Sequence, residues 1–257
     1  MFTHVIDWRE NRDLQRSMFA ADVIDIEMLM DSAMIQTNFE AARKFGVKFI
    51  LSGSNTATEG MQMPRGWNHS KYDARNVRAI QRRFGTRPIK THPLYSFWRF
   101  GMDRVICGRQ WVSFLDYYDY NKERAVEILK GIGYHPYPYK HYESVFTRFY
   151  QACILPEKFG VDKRKLHLST LVISGQMERS EALSTLEDDP YPDPVQKVDD
   201  RQFVLKKLGL SEAEFEQYLR RPPVPHSTYT SEIPRARKVG QLLRGARRLF
   251  TFEGRSR

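Results

Sequence analysis

A chain of 257 residues with 41% hydrophobic and 13% aromatic content can bury one sizeable core or two small ones, which argues against a wholly disordered protein. No stretch reaches the roughly 18 uninterrupted apolar residues of a membrane span. The start Met1-Phe2-Thr3-His4 lacks the layout of a signal peptide, and Cys107 and Cys153 stand in neither CxxC nor Cys/His spacing, so a cytoplasmic protein without disulfide or zinc framework is expected. The formal charge of +10 invites a nucleic-acid reading, but residues 234–257 hold eight basic residues against Glu253, which leaves only +3 for the rest of the chain. No nucleic-acid partner is expected of a body so nearly balanced.

In chain order, residues 2–7 read as a strand, 9–21 as a helix carrying Leu14 and Met18, and 22–26 as a short extended piece. Asp31 and Ser32 offer N-cap oxygens to a helix with Ile35, Phe39 and Ala42 on one face, closed by Gly46. The β-rich run 47–51 follows at once and ends in Ser52-Gly53-Ser54-Asn55, so helix, turn, strand and polar loop come in sequence as in layered α/β folds. Val77, Ile80 and Phe84 mark a helix stopped at Gly85; a strand over 111–115 and a helix over 121–130 come next. Beyond Tyr134 a proline-punctuated aromatic connector, His135-Pro136-Tyr137-Pro138-Tyr139, leads into helices over 143–154, 166–174, 178–186 and 199–208. Ser211 and Glu214 form a capping box for one more helix, with Phe215, Tyr218 and Leu219, before Arg221-Pro222-Pro223-Val224-Pro225 breaks it.

The expected organisation is an α/β nucleotide-binding-like region over 1–133, a mainly helical region of the same catalytic unit over 134–221, and a proline-rich linker with a basic tail over 222–257. In that tail Val239, Leu242, Leu243, Ala246, Leu249 and Phe250 share a helical face among arginines. A basic amphipathic helix on an anionic membrane surface, peripheral to the inner membrane, the same helix in a partner groove, and a disordered solubilising tail all fit this pattern.

Two stretches carry residue types suited to chemistry. The loop Ser52-Gly53-Ser54-Asn55-Thr56-Ala57-Thr58-Glu59-Gly60 sits after a strand, where open α/β sheets bind ligands. Its glycines allow close approach, Ser and Asn supply donors and acceptors, and Glu59 supplies a carboxylate. It is neither a Walker loop nor a GxGxxG turn, and a plain turn with a solvated Glu59 fits equally well. The second stretch is Lys140-His141-Tyr142-Glu143, Thr147-Arg148, Lys158 and Asp162-Lys163-Arg164-Lys165. Cations there can stabilise charge on phosphate oxygens, or they can form a solvated helix start with local ion pairs. The histidines show no HExxH or tight HxH pattern, so no metal site is nominated; His141 stands out because it lies in the dense polar cluster.

Three runs, residues 49–60, 140–149 and 154–165, resemble the N-acetyl sugar amidotransferases of lipopolysaccharide, O-antigen and surface-glycan biosynthesis. The resemblance extends from Phe2 to about Pro222. It implies a PP-loop, or ATP pyrophosphatase, fold of the adenine-nucleotide alpha-hydrolase type: a parallel sheet followed by a helical region. It also implies ATP with magnesium, a sugar-nucleotide substrate, and ammonia delivered by a glutaminase and a cyclase-like subunit. The implied reaction turns an acetamido group into an acetamidino group through adenylation. On this reading Lys140, Glu143, Arg148, Lys163 and Arg164 are catalytic candidates. Ser52, Gly53, Ser54, Asn55, Glu59 and Gly60 contact ATP, and His141 and Lys165 contact substrate. The family's SGGxDS loop is absent from the sequence. The chain is therefore expected to be the C-terminal portion of such an enzyme, either completed by a separate N-terminal PP-loop polypeptide or active only in a longer form; a non-catalytic binding or assembly module is the alternative.

Overall fold

The computed structural model describes residues 3–136, 144–191 and 193–241. Lys140, His141 and Glu143, and the tail from residue 242, lie outside the described residues. Helix α1 (Trp8–Ala20) is opened by Asp7, whose Oδ1 accepts the amides of Arg9 and Glu10 at 2.8 and 3.1 Å. Residues 3–7 form no strand, contrary to expectation, because Asp7 caps the helix that follows it. The extended piece over 22–26 is also absent. Asp22 turns the chain at φ 55°, and Val23 and Ile26 are buried among helices, so their apolar character marks burial and not sheet pairing.

Helix α2 (Met28–Lys44) starts ahead of the expected Asp31 and Ser32 caps. Those side chains serve distant partners: Ser32 Oγ accepts the Tyr95 amide at 2.9 Å, and Asp31 pairs with Lys71 at 3.0 Å. Gly46 adopts φ 67° and releases the chain into β1 (Phe49–Ser52). β1 pairs in parallel with β2 (Gln110–Ser113), in register from Phe49 opposite Gln110 to Ser52 opposite Ser113. Between the strands run α3 (Thr56–Glu59), α4 (Ala74–Phe84), stopped at Gly85 as expected, and α5 (Phe97–Gly101); α6 (Lys122–Lys130) follows β2.

The helix expected over 143–154 is part of a longer rod. α7 (Val145–Phe149) passes through a widened π turn at Tyr150–Ile154 into α8 (Leu155–Phe159). Pro156 has no N–H to give the turn before it, and the wide turn lies there. α9 (Arg164–Ile173), α10 (Arg179–Glu187), α11 (Pro194–Leu208) and α12 (Glu212–Arg220) follow, the last with its reciprocal Ser211–Glu214 capping box.

The core is helical: Leu14 and Met18 of α1, Val77 and Ile80 of α4, Phe149 and Leu155 of the rod, Leu205 of α11 and Phe215 of α12 pack together. Each such side chain contributes roughly 1.5–3 kcal/mol by leaving water. The proline-rich segment after α12 folds back on this core. The Val224 amide donates to the Asp22 carbonyl at 2.9 Å, the Arg221 guanidinium to Asp22 Oδ2 at 2.8 Å, and the Tyr229 hydroxyl to the Ala21 carbonyl at 3.1 Å. No residue of β1 or β2 belongs to the core cluster. The molecule is thus α/β but mainly helical, with a small parallel sheet. Among the described residues no helix is long and apolar enough to cross a membrane.

Candidate functional site

The loop at the carboxyl end of β1 faces the rod and α9 across a cleft of about 740 Å³, within the size range of small-molecule sites. Gly53, Asn55, Thr58 and Glu59 line one side; Arg148, Gln151 and Ala152 of the rod and Lys163, Arg164 and His167 around the start of α9 line the other. Arg148, Gln151 and Ala152 lie three and four positions apart, so one helical face carries all three. Two stretches far apart in sequence are therefore brought into one cavity.

The β1 loop is largely self-satisfied. Ser54 Oγ bonds Ser52 Oγ at 2.9 Å and Ser113 Oγ at 3.0 Å, tying the ends of both strands together. Asn55 Oδ1 accepts the amide and hydroxyl of Thr58 at 2.9 and 3.1 Å, which caps α3. The amides of Ser54 and Thr56 go to Ser52 Oγ and Asp116. With these N–H groups occupied, the loop is not a nest of donors for phosphate. Gly60 is demanded by packing, since a Cβ there would collide with the Thr56 carbonyl. Of the nominated ATP contacts, Gly53, Asn55 and Glu59 reach the cleft lining; Ser52, Ser54 and Gly60 do not.

Arg148, Lys163 and Arg164 are each backed by an acid. Arg148 meets Asp200 through Nε and Nη2 at 2.6 and 2.8 Å, and Tyr191 donates its hydroxyl to the same carboxylate. The hydrogen bonds to Asp200 raise the Arg148 pKa above its ordinary value and fix the guanidinium in its charged form. Lys163 Nζ lies 3.1 Å from Glu27 Oε2, which also accepts Gln151 Nε2 at 3.0 Å. Arg164 forks onto Asp162 at 2.9 Å and reaches the Asp188 carbonyl at 2.9 Å. Lys165 is exposed and absent from the lining.

Four cations, Lys122, Arg148, Lys163 and Arg164, share the lining with four carboxylates, Glu59, Asp162, Asp188 and Asp189. Such a cleft suits a ligand with an anionic end and a hydroxyl-bearing end better than a bare polyanion. Sequence reasoning missed Gln151, His167 and two of the backing acids, Asp200 and Glu27. Gln151 was detectable at i+3 from Arg148, whereas Asp200 and Glu27 are distant in sequence and carried no signal. Among the described residues no group of three or more His, Cys, Asp or Glu side chains is placed to hold a metal. A magnesium ion that arrives on phosphates needs only one or two carboxylates, and Glu59 and Asp162 stand in the lining.

Fold and cleft together define a mixed α/β, mainly helical chain with a charged cleft. Residues 143–243 match the family described as LPS biosynthesis protein WbpG-like, C-terminal domain. This part of the chain is therefore similar to proteins of lipopolysaccharide biosynthesis, and the match takes in the rod, α9 and the 188–190 wall of the cleft. No curated protein and no solved structure matches the chain.

Proposed function

We propose that the chain is an ATP-dependent amidotransferase, or a subunit of one, that converts the acetamido group of a nucleotide-linked sugar to an acetamidino group in lipopolysaccharide biosynthesis. The observation that carries this reading is the convergence of the β1 loop with Arg148, Lys163 and Arg164 in one cleft, within reach of the segment similar to that family. An amide carbonyl is a poor electrophile because nitrogen donates its lone pair. The acetamido oxygen attacks the α-phosphorus of ATP, the bond to the bridging oxygen breaks and pyrophosphate leaves. Ammonia then adds to the activated carbon, AMP leaves with its oxygen, and a proton is lost. Arg148, Lys163 and Arg164 supply positive charge where phosphate oxygens become more negative. Glu59 accepts from hydroxyls or holds a magnesium-bound water, and magnesium when bound neutralises phosphate charge. Ammonia comes from glutaminase and cyclase-like subunits.

The cleft's loop offers no phosphate nest, and the sheet beside it is two strands with Phe49 and Leu51 exposed on one face. Both features support a PP-loop-type α/β polypeptide as a partner that completes the ATP site. The purified chain with ATP, a UDP-N-acetyl sugar and ammonium should form little AMP, and addition of an SGGxDS-bearing polypeptide should raise it. Full turnover by the chain alone sinks the split-site reading. In the reconstituted enzyme, Lys163→Ala with Arg164→Ala should lower AMP formation by about 10²-fold; an unchanged rate removes their role. The second reading, a binding or assembly module, is favoured by the commitment of Arg148, Lys163 and Arg164 to carboxylates. It predicts ligand binding without AMP formation even with the added polypeptide.

A further inference from the structure

A second pocket of about 390 Å³ opens beside the cleft and shares Tyr120 with it. Helix α3 divides the two: Thr56 and Ala57 face the smaller pocket, Thr58 and Glu59 the cleft. We propose that this pocket binds the neutral, polyhydroxylated ring of the ligand whose anionic end meets Arg148, Lys163 and Arg164. The proposal rests on the sugar-nucleotide reading of the cleft.

The walls are fixed by bonds of their own. Asp116 accepts the amide and hydroxyl of Thr56 at 2.6 and 3.0 Å. Gln176 accepts the Lys122 amide and donates to the Tyr120 carbonyl, both at 3.1 Å, which holds the loop between the pockets. Asn121 caps α6 through the Arg124 amide at 2.9 Å, and Phe114 braces Tyr118 edge-on at 5.3 Å. The site is therefore built in advance, which lowers the ordering cost of binding.

Charge and chemistry narrow the occupant. Asp116 and Asp119 line the pocket and, among the described residues, no cation does, so phosphate and carboxylate groups are repelled. Carboxylate and amide groups present the acceptors and donors that neighbouring hydroxyls require. Tyr118 is braced yet 61% exposed, which leaves a flat apolar face for the C–H side of a pyranose ring. Asp119 has no hydrogen bond or ion pair among the described residues, so its acceptor capacity is open.

Titration of the full chain with UDP-N-acetylglucosamine and with UDP separates the two pockets. Asp119→Lys should weaken the UDP-sugar by about tenfold and leave UDP within about twofold. Equal losses for both nucleotides, or no loss for the sugar nucleotide, overturn the proposal. Tyr118→Ala, which removes only the ring, should reproduce the selective loss. If neither nucleotide binds the unaltered chain, the cleft reading fails on its own. The pocket is then read with methyl N-acetyl-glucosaminide by saturation-transfer NMR. A signal abolished by Asp119→Lys supports a glycan site independent of nucleotide; no signal from the unaltered chain, or one that survives the substitution, overturns it.

Discussion

The helical core and the two-stranded sheet are made from similar side chains with opposite fates. Leu14, Ile80, Phe149 and Leu155 are fully buried, whereas Phe49 and Leu51 of β1 are 56% and 64% exposed, with Val105, Ile106, Ile128 and Ile132 also open. Parallel sheets ordinarily carry cover on both faces, and free strand edges are templates for pairing. One region has reached its packing partners within this chain; the other presents a surface that further structure would normally cover. The cleft lies at their junction, walled by the sheet's loop on one side and by core helices on the other.

The largest expected effect falls on the core side. Arg148 and Asp200 are 9% and 8% exposed as side chains, so Asp200→Ala removes the carboxylate that two guanidinium nitrogens of a buried cation meet. A loss of about 3–5 kcal/mol in urea unfolding is expected. A loss below about 1 kcal/mol would mean that the cleft wets Arg148 and that core and cleft are not continuous there.

Next in size is a pH effect at the seam joining the C-terminal segment to the core. His226 stacks on His69 at 4.1 Å; its Nδ1 meets Asn76 Oδ1 at 2.7 Å, and its Nε2 faces the Asp25 amide at 3.4 Å. A donor aimed at Nε2 favours the neutral ring, and burial, followed by His69, lowers its pKa to about 3. The unfolded chain, near pKa 6.5, binds a proton first as pH falls. Stability from this group is therefore complete above about pH 6.5 and declines toward pH 3, by on the order of 1 kcal/mol per pH unit. Unfolding measured from pH 7.5 to 4.5 should show that decline, and His226→Gln should make it shallower, leaving the part due to His92, whose pKa burial also lowers. The carboxylates with lowered pKa values, Glu10, Asp13, Asp25 and Asp73, act at lower pH, because their unfolded values lie near 4.

Asp13 offers a smaller test of the same side. Burial pushes its pKa up, but donors outweigh it: the Thr86 hydroxyl at 2.7 Å, Gln81 and the Thr86 and Arg87 amides hold it below the ordinary value. Asp13→Asn loses the charge those donors answer and should cost about 1–2 kcal/mol at pH 7. The difference from the unaltered chain should shrink as pH falls through the folded carboxylate's pKa. A difference independent of pH would assign the cost to packing.

What was legible in the sequence follows the same division between local and distant causes. The Val77, Ile80, Phe84 stripe ended by Gly85 and the Ser211–Glu214 box are settled within a turn or two, and both elements form as read. Strand β1 was visible in its β-branched and aromatic run, with bounds shifted by two residues at the start and one at the end. Ser32 and Asp31 had the right chemistry for caps, yet Tyr95 and Lys71 claimed them from across the fold. The β1 loop and the Lys163-Arg164 pair could be nominated as site residues from composition. Asp162, the acid of Arg164, lies in the same nominated run, but the acids of Lys163 and Arg148 could not be named, because Glu27 lies 136 positions from Lys163 and Asp200 lies 52 from Arg148. Nor could composition tell that the loop's own amides were spent on Ser52, Asn55 and Asp116.

The smallest expected stability change is the most informative about the open side. Phe49→Ser with Leu51→Ser alters side chains that leave little water behind when the chain folds, so the unfolding free energy should move by no more than about 0.5 kcal/mol per site. A loss of several kcal/mol would show that the sheet is packed in solution and would erase the contrast with the core. The same variant should behave differently toward a covering polypeptide, because burying Phe49 and Leu51 contributes about 1.5–3 kcal/mol each only when something covers them. If an SGGxDS-bearing polypeptide restores AMP formation to the unaltered chain, the double serine variant should need a much higher concentration of it for the same rate, with Lys163 and Arg164 untouched. Equal concentrations for both chains would mean that the partner meets the cleft without covering the sheet. The exposed face would then need another explanation than an unfinished nucleotide-binding layer.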